Sequence, residues 1–219
     1  PGGNILSMNE HEIIVQWNST GDQWVRVNFT NPDNCTNPFP VQFDVPVNPL
    51  PIVEITAGPG PECESVPHQF VTPGEPGCTF EWTVFPDNLG LVTSEQGLNE
   101  ATIVWQSYGQ GQVKVTATNT VTGCVSGDVF PVTVNPKTVP LFIPCFDVIT
   151  TTDARKFELR GASPYAIGHG VFSGNRVSLN GNTGRYEFDP NGAPAGSYDV
   201  TYTYTNVFNC PASAPAVRI

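Results

Sequence analysis

Two stretches of this chain are copies of one another, and no other feature restricts the possible fold as strongly. Residues 101–124 read ATIVWQSYGQGQVKVTATNTVTGC, and residues 12–35 read EIIVQWNSTGDQWVRVNFTNPDNC. Each passes from a β-rich run ending in Trp (Trp17, Trp105) through a Gly-containing turn to an alternating strand, a Thr-Asn pair and a Cys. A fainter copy, YDVTYTYTNVFNC at residues 198–210, keeps the strand, the Thr-Asn pair and the Cys. Self-similarity of this kind marks a repeat array. At 219 residues the chain holds two all-β modules of roughly 80–100 residues and a fraction of a third.

Residues 1–50 correspond to only the second half of the middle unit. NILS at residues 4–7 aligns with GLVTS at 90–94, Trp17 with Trp105, Cys35 with Cys124, and VQFDVPVNP at 41–49 with FPVTVNP at 130–136. Half a sandwich cannot bury its own apolar face. Residues 1–50 are therefore expected to be the C-terminal half of a truncated repeat, and the chain a window on a longer polypeptide. Residues 51–136 read as a complete sandwich, with strands expected at 52–56, 68–72 and 79–85. Alternation puts Phe80, Trp82 and Val84 on one face, and Trp82 takes the place where immunoglobulin-like sandwiches bury a Trp. Trp105 shares a face with Ala101 and Ile103; by the same pattern Trp17 is expected in a core. Residues 137–219 form a sandwich of a second type, expected to be cut in its last strand, with Tyr198, Val200, Tyr202 and Tyr204 on one face. Turn signals such as PGEPG and YGQG leave no room for an ordinary helix.

Charge removes several function classes. The net charge is −11 and the nine Lys and Arg residues are scattered, which excludes the clustered cations that nucleic acids require. The same balance opposes docking on an anionic membrane surface. No apolar run approaches the roughly 20 residues that span a bilayer, so no membrane insertion is expected. Residue 1 is Pro, with no initiator Met or signal-peptide pattern, and a processed or cut N-terminus is expected.

FEWTV, EQGLNEATIVW, GQGQVKVTATNTVTGC and the closing VTVNP of the middle unit resemble the PKD-like and immunoglobulin-like repeats of giant surface proteins of the Bacteroidetes. FELRGASPYAIGHGVFSGNRV and GRYEFDPNGAPAGSYDVTYTYTNVFNC, in the third unit, look like another repeat type of the same proteins, which include gliding-motility adhesins and other cargo of the type IX secretion system. The resemblance implies an all-β fold of tandem immunoglobulin-like or PKD-like β-sandwich modules in an extended array. It also implies an exported, cell-surface or secreted protein whose modules act as spacers or adhesive units. The partners it implies are neighbouring repeats, the export machinery and an extracellular surface or polysaccharide ligand.

The six cysteines point to export independently. Cys35, Cys124 and Cys210 each follow a Thr-Asn pair, so each belongs to the equivalent loop of its unit. A bridge from that loop to an earlier site in the same unit would restrain the array. Cys145 with Cys210 is expected in the third unit. In the middle unit the order of loops in an immunoglobulin sandwich favours Cys78 as the partner of Cys124, while analogy with Cys145 favours Cys63. The partner of Cys35 is expected outside the fragment. A metal site is disfavoured, because there is no Cys-x-x-Cys and His11, His68 and His169 are isolated.

No residues form a recognisable catalytic arrangement, and the chain is expected not to be an enzyme. GHGVFSG around Ser173 lacks the Gly-x-Ser-x-Gly spacing and the helix of a nucleophile elbow. Asp87 and Asp189 offer oxygen ligands for structural calcium, but both read more simply as Asx turns. Trp24 faces outward, since Val25, Val27 and Phe29 claim the inner face, and it is the candidate contact for a glycan; Tyr108 lies apart from it in a turn. Asn18, Asn28 and Asn34 begin Asn-x-Ser/Thr sequences read as chance. The leading expectation is a non-catalytic stalk or adhesive segment. The alternatives are accessory modules of a secreted polysaccharide-degrading or proteolytic enzyme, and a glycan-binding module.

Overall fold

The computed structural model describes residues 2–165 and 169–219, and every regular element among them is a β-strand. Gly168, the first residue of the GHGVFSG segment, lies outside the described residues.

The middle unit contains β5 (Thr56–Ala57), β6 (Pro67–Val71), β7 (Cys78–Phe85), β8 (Gly90–Val92), β9 (Glu100–Trp105), β10 (Gly109–Asn119) and β11 (Val125–Val134). They follow β1 (Gly3–Met8), β2 (Ile13–Trp17), β3 (Gly21–Val27) and β4 (Val41–Val47) of the first unit. In the middle unit one sheet has the order β5-β6-β9-β8 and the other β11-β10-β7, the strand order of a seven-stranded immunoglobulin sandwich. Alternation along β7 and β10 drives Phe80, Trp82, Val84, Val113, Val115 and Ala117 into a core with Phe70, Ile103 and Trp105. Trp82 is buried and donates its indole N–H to the Leu98 carbonyl at 3.0 Å, so its one polar atom is satisfied.

Of the strand expected at 52–56, only Thr56 belongs to β5. Side chains take the earlier backbone N–H groups instead: Ile52 donates to Glu75 Oε2 at 2.9 Å, Glu54 to Thr72 Oγ1 at 3.1 Å and Ile55 to Asp128 Oδ2 at 2.8 Å. Ile55 still reaches the core.

The first unit repeats part of this plan. β1 pairs with β2 so that Gly3 lies opposite Trp17, as β8 pairs with β9 to put Gly90 opposite Trp105. The match is therefore Gly3 to Gly90, one residue from the alignment that sequence suggests. A methyl group on Gly3 would come within 2.8 Å of the Trp17 ring, and one on Gly90 within 2.7 Å of the Trp105 ring. In both units, then, the indole packs against a glycine where a side chain would collide with it. β3 pairs with β4 from Gly21 opposite Val47, just as β10 pairs with β11 from Gly109 opposite Val134. The first unit thus holds counterparts of β8, β9, β10 and β11.

Among its described residues none is buried. Val27 is 66% exposed where its counterpart Val115 is 0%, and Phe29 is 65% exposed where Ala117 is 0%. Trp17, expected in a core, is only half-buried. Among the described residues, no strand pairs with β2 other than β1, and none with β3 other than β4.

The third unit contains β12 (Leu141–Phe142), β13 (Phe157–Glu158), β14 (Ala162–Ser163), β15 (Gly170–Ser173), β16 (Val177–Asn180), β17 (Arg185–Phe188), β18 (Asp199–Thr205), β19 (Pro211–Ser213) and β20 (Val217–Arg218). β13-β17-β16 form one sheet, and β15-β18-β19 another in which β20 also pairs with β18. Val200 and Tyr202 of β18 are buried among Phe142, Leu159, Phe172 and Phe188, while Tyr198 and Tyr204 pack at the margin of that core. Burial, and then the neighbouring Tyr165 and Tyr204, push the Tyr202 hydroxyl above its ordinary range. It stays protonated and donates to the Pro164 carbonyl at 2.7 Å.

Candidate functional site

The most structured polar site joins the second unit to the third. Its foundation is a loop that all three units build from the Thr-Asn…Cys motif. In the first unit Asn31 Oδ1 accepts from the backbone of Asp33 at 3.0 Å and Cys35 at 2.9 Å. In the third, Asn206 Oδ1 accepts from Phe208 and Cys210, both at 3.0 Å. Asn34 and Asn209, just before each Cys, hold φ of 62° and 61°, a left-handed conformation that Asn tolerates. The middle loop is one residue longer and uses Gly123 there, at φ 72°. Asn119 Oδ1 accepts from Val121 and Thr122, and the Asn119 N–H donates to the Cys124 carbonyl.

The third unit's loop reaches back to the unit before it. Cys210 is bonded to Cys63, with Cα atoms 5.6 Å apart across 147 residues of sequence, and both half-cystines are buried. Beside the bond, the buried Asn206 donates its side-chain N–H to the Pro136 carbonyl at 2.7 Å. Cys63 is itself held against the connecting segment. Its neighbours Glu62 and Glu64 exchange backbone hydrogen bonds with Asn135 at 2.8 and 3.0 Å, and Lys137 Nζ donates to Ser65 Oγ at 2.7 Å. A covalent bond, a buried amide and a proline therefore fix one joint from both sides.

This pairing corrects the expected bridges. Cys145 is not the partner of Cys210: the Cys210 sulfur is taken by Cys63, and Cys145 is a free, exposed thiol. Cys78 and Cys124 are not bonded to each other either. Cys78 lies opposite Asn119 on the β7 side of β10, and Cys124 meets the same Asn119 on the β11 side. Two strand spacings of about 4.8 Å separate them, more than the roughly 7 Å between Cα atoms that a disulfide reaches. Cys63, the other candidate for Cys124, is committed to Cys210. Cys35 is an exposed free thiol. The signal in sequence was the shared loop; the missing step was that such a loop faces the neighbouring module as readily as its own.

Glu62 anchors the polar side of the joint. Its Oε2 accepts the Trp105 indole N–H at 2.6 Å and lies 3.2 Å from His68 Nδ1, while His68 Nε2 meets the Gly58 carbonyl at 2.9 Å. Burial raises the Glu62 carboxyl above its ordinary 4.5, and the Trp105 N–H and His68 offset only part of that shift. A raised folded-state value means the folded chain holds this proton more tightly than the unfolded chain does. The associated stability is complete below 4.5 and is lost as pH rises through the folded-state value. Glu62→Gln keeps an oxygen for Trp105 and removes the titration. Its melting temperature is expected to gain on the native protein as pH rises from 4.5, then level off. A difference that stays flat across that interval would contradict the assignment.

The other candidate residues do not converge. Trp24 lies on the face opposite the half-buried Val25, but Arg26 stacks over its ring at 4.3 Å and covers one side, leaving it partly buried. Tyr108 is exposed in a different unit. His11 lies in the first unit and His169 in the third, where its ring meets the Thr205 carbonyl. Asp189 accepts from the Asn191 backbone at 3.0 Å, an Asx turn. Among the described residues no group of three or more His, Cys, Asp or Glu is placed to hold a metal ion.

No protein-family model matches the sequence, and no curated protein matches it. Solved structures to which the chain is similar include the fibronectin(III)-like modules of Clostridium thermocellum CbhA, at 13% identity and a TM-score of 0.37 over 75% of this chain and 91% of that one. The D00-D0 domain of intimin matches at 13% identity and a TM-score of 0.31 over 77% and 99%. Drosophila OTK extracellular domains 3-5 match at 14% identity and 0.30 over 82% and 65%. At these values the chemistry of the site is read from this chain's own residues alone.

Proposed function

We propose that this chain is a non-catalytic repeat segment of an exported cell-surface protein, of the gliding-motility adhesin type that its repeats resemble, serving as stalk and multivalent adhesive surface. The observation that carries this reading is the braced joint: a buried disulfide between successive units, with Asn206 hydrogen-bonded to the linker at Pro136. A bond of this kind persists in oxidising surroundings. Its mechanical consequence is to limit bending between modules, which suits a spacer that projects a distal part from a surface. Proline in the joints adds stiffness, since VNPLP at 47–51 and VNPKTVP at 134–140 remove backbone freedom at each junction. An adhesive role would then come from many weak contacts in series rather than one deep site.

The test is an immunoblot of the producing cells with an antibody to this chain, with and without protease added to intact cells. A surface array predicts a band far larger than the chain that disappears on protease treatment. A protected band, or a small soluble product near 23.6 kDa, would overturn the reading.

A further inference from the structure

His68 is a buried imidazole with an oxygen facing each of its ring nitrogens. Nε2 lies 2.9 Å from the Gly58 carbonyl and Nδ1 lies 3.2 Å from Glu62 Oε2, and the His68 and Glu62 side chains are only 7% and 13% exposed. A carbonyl oxygen can only accept, so Nε2 carries a proton. Nδ1 and Oε2 then face each other as two lone pairs unless one further proton lies between them.

We propose that Glu62 and His68 share one proton between Oε2 and Nδ1, and that its loss opens the clamp on Asn135, so that the joint between the second and third units is held on the acid side and loosens as pH rises. The clamp is built from the same segment. The Glu62 carbonyl accepts from the Asn135 backbone at 2.8 Å and from its side chain at 3.2 Å, and the Glu64 N–H donates to the Asn135 carbonyl at 3.0 Å. Cys63, between the two, carries the bond to Cys210. Without the proton, a carboxylate oxygen and a bare Nδ1 repel each other in a largely buried site. The Glu62 side chain is driven toward solvent, and the backbone that grips Asn135 moves with it. The latch depends on the joint alone, wherever the chain is displayed.

His68 is the charged group that acts on the Glu62 carboxyl. β9 presents Trp105, whose N–H donates to Oε2 at 2.6 Å, and Ile103 opposite His68, while β6 presents the Phe70 ring at 5.7 Å from the imidazole. Lys137 of the connecting segment donates to Ser65, and among the described residues Glu64, the other acid of the segment, makes no ion pair with His68 or Lys137. The proton leaves to water, because His68 lines a shallow cleft with Gly58, Pro67, Gln69 and Thr102. Burial raises the Glu62 carboxyl above 4.5, so the folded chain holds the proton more tightly than the unfolded chain, and the stability it brings is lost as pH rises through the folded-state value.

The experiment follows amide hydrogen exchange of the full chain from about pH 5 to about pH 8, the interval in which His ordinarily changes charge. Corrected for the intrinsic exchange rate, protection of the Glu64 and Asn135 amides is expected to fall at least about tenfold, the equivalent of one pH unit of coupling, while β10 stays protected. The His68 Nδ1 resonance should move with the same midpoint, and Nε2 should keep its proton throughout. In Glu62→Gln the side-chain amide donates to Nδ1 without a titrating proton, so protection at Glu64 and Asn135 should stay flat. Flat protection in the native chain would overturn the proposal, and so would a fall in Glu62→Gln equal to the native one. An Nε2 that lacks its proton at about pH 5 would remove the need for a shared one. An equal loss of protection in β10 would make the change global rather than local to the joint, and would overturn the latch as well.

Discussion

Replacing Trp105 by alanine will destabilise the middle unit by about 3–5 kcal/mol, the usual cost of emptying a buried indole site. Its side chain is fully buried, its N–H is held by Glu62, and Gly90 packs against the ring. The same substitution at Trp17 will cost the first unit less, about 1–3 kcal/mol, because Trp17 is only partly covered and none of the described residues around it is fully buried. The two residues occupy one position of one repeat, opposite Gly3 and Gly90 respectively. Chemical denaturation of the two variants therefore compares a completed unit with an open one at constant residue type. Equal losses would mean that the first unit has a core of its own.

The second large effect belongs to the joint. Replacing both Cys63 and Cys210 by alanine removes the bond without leaving a reactive thiol, and is expected to cost about 2–4 kcal/mol where the second and third units unfold together. Calorimetry should show the two units melting as separate transitions, and solution X-ray scattering should show a wider spread of end-to-end distances. Reducing the native protein should reproduce both changes. A variant with unchanged melting and unchanged scattering would mean that Asn206, Pro136 and the linker hold the joint without the disulfide.

Much of the fold was legible because strand alternation is a local property. Phe80, Trp82 and Val84 point to one core by period alone, as do Val200 and Tyr202. The repeat, too, located the loops that carry Cys35, Cys124 and Cys210. What it could not reveal was the direction in which each loop faces. A loop at the end of a sandwich lies as close to the next module as to its own far strands, and sequence spacing does not distinguish the two. That is why Cys145 was the expected partner of Cys210 when Cys63 holds it. The Glu62 site was missed for a related reason: Glu62, His68 and Trp105 lie on three separate segments and meet only when β6 pairs with β9.

Trp24 shows the reverse limit. Alternation placed it outward from the facing of its neighbours, yet the Arg26 guanidinium two residues along the same strand covers the ring. Alternation fixes a side, not an accessibility, and an exposed platform depends on what the adjacent long side chains do.

The most direct test of the braced array is peptide mapping of the non-reduced protein by mass spectrometry. One peptide pair should contain Cys63 joined to Cys210, with Cys78 and Cys145 recovered as thiols. Recovery of Cys145 joined to Cys210 instead would confine the bridge to one unit, remove the covalent brace between units and contradict the mechanical role drawn from it.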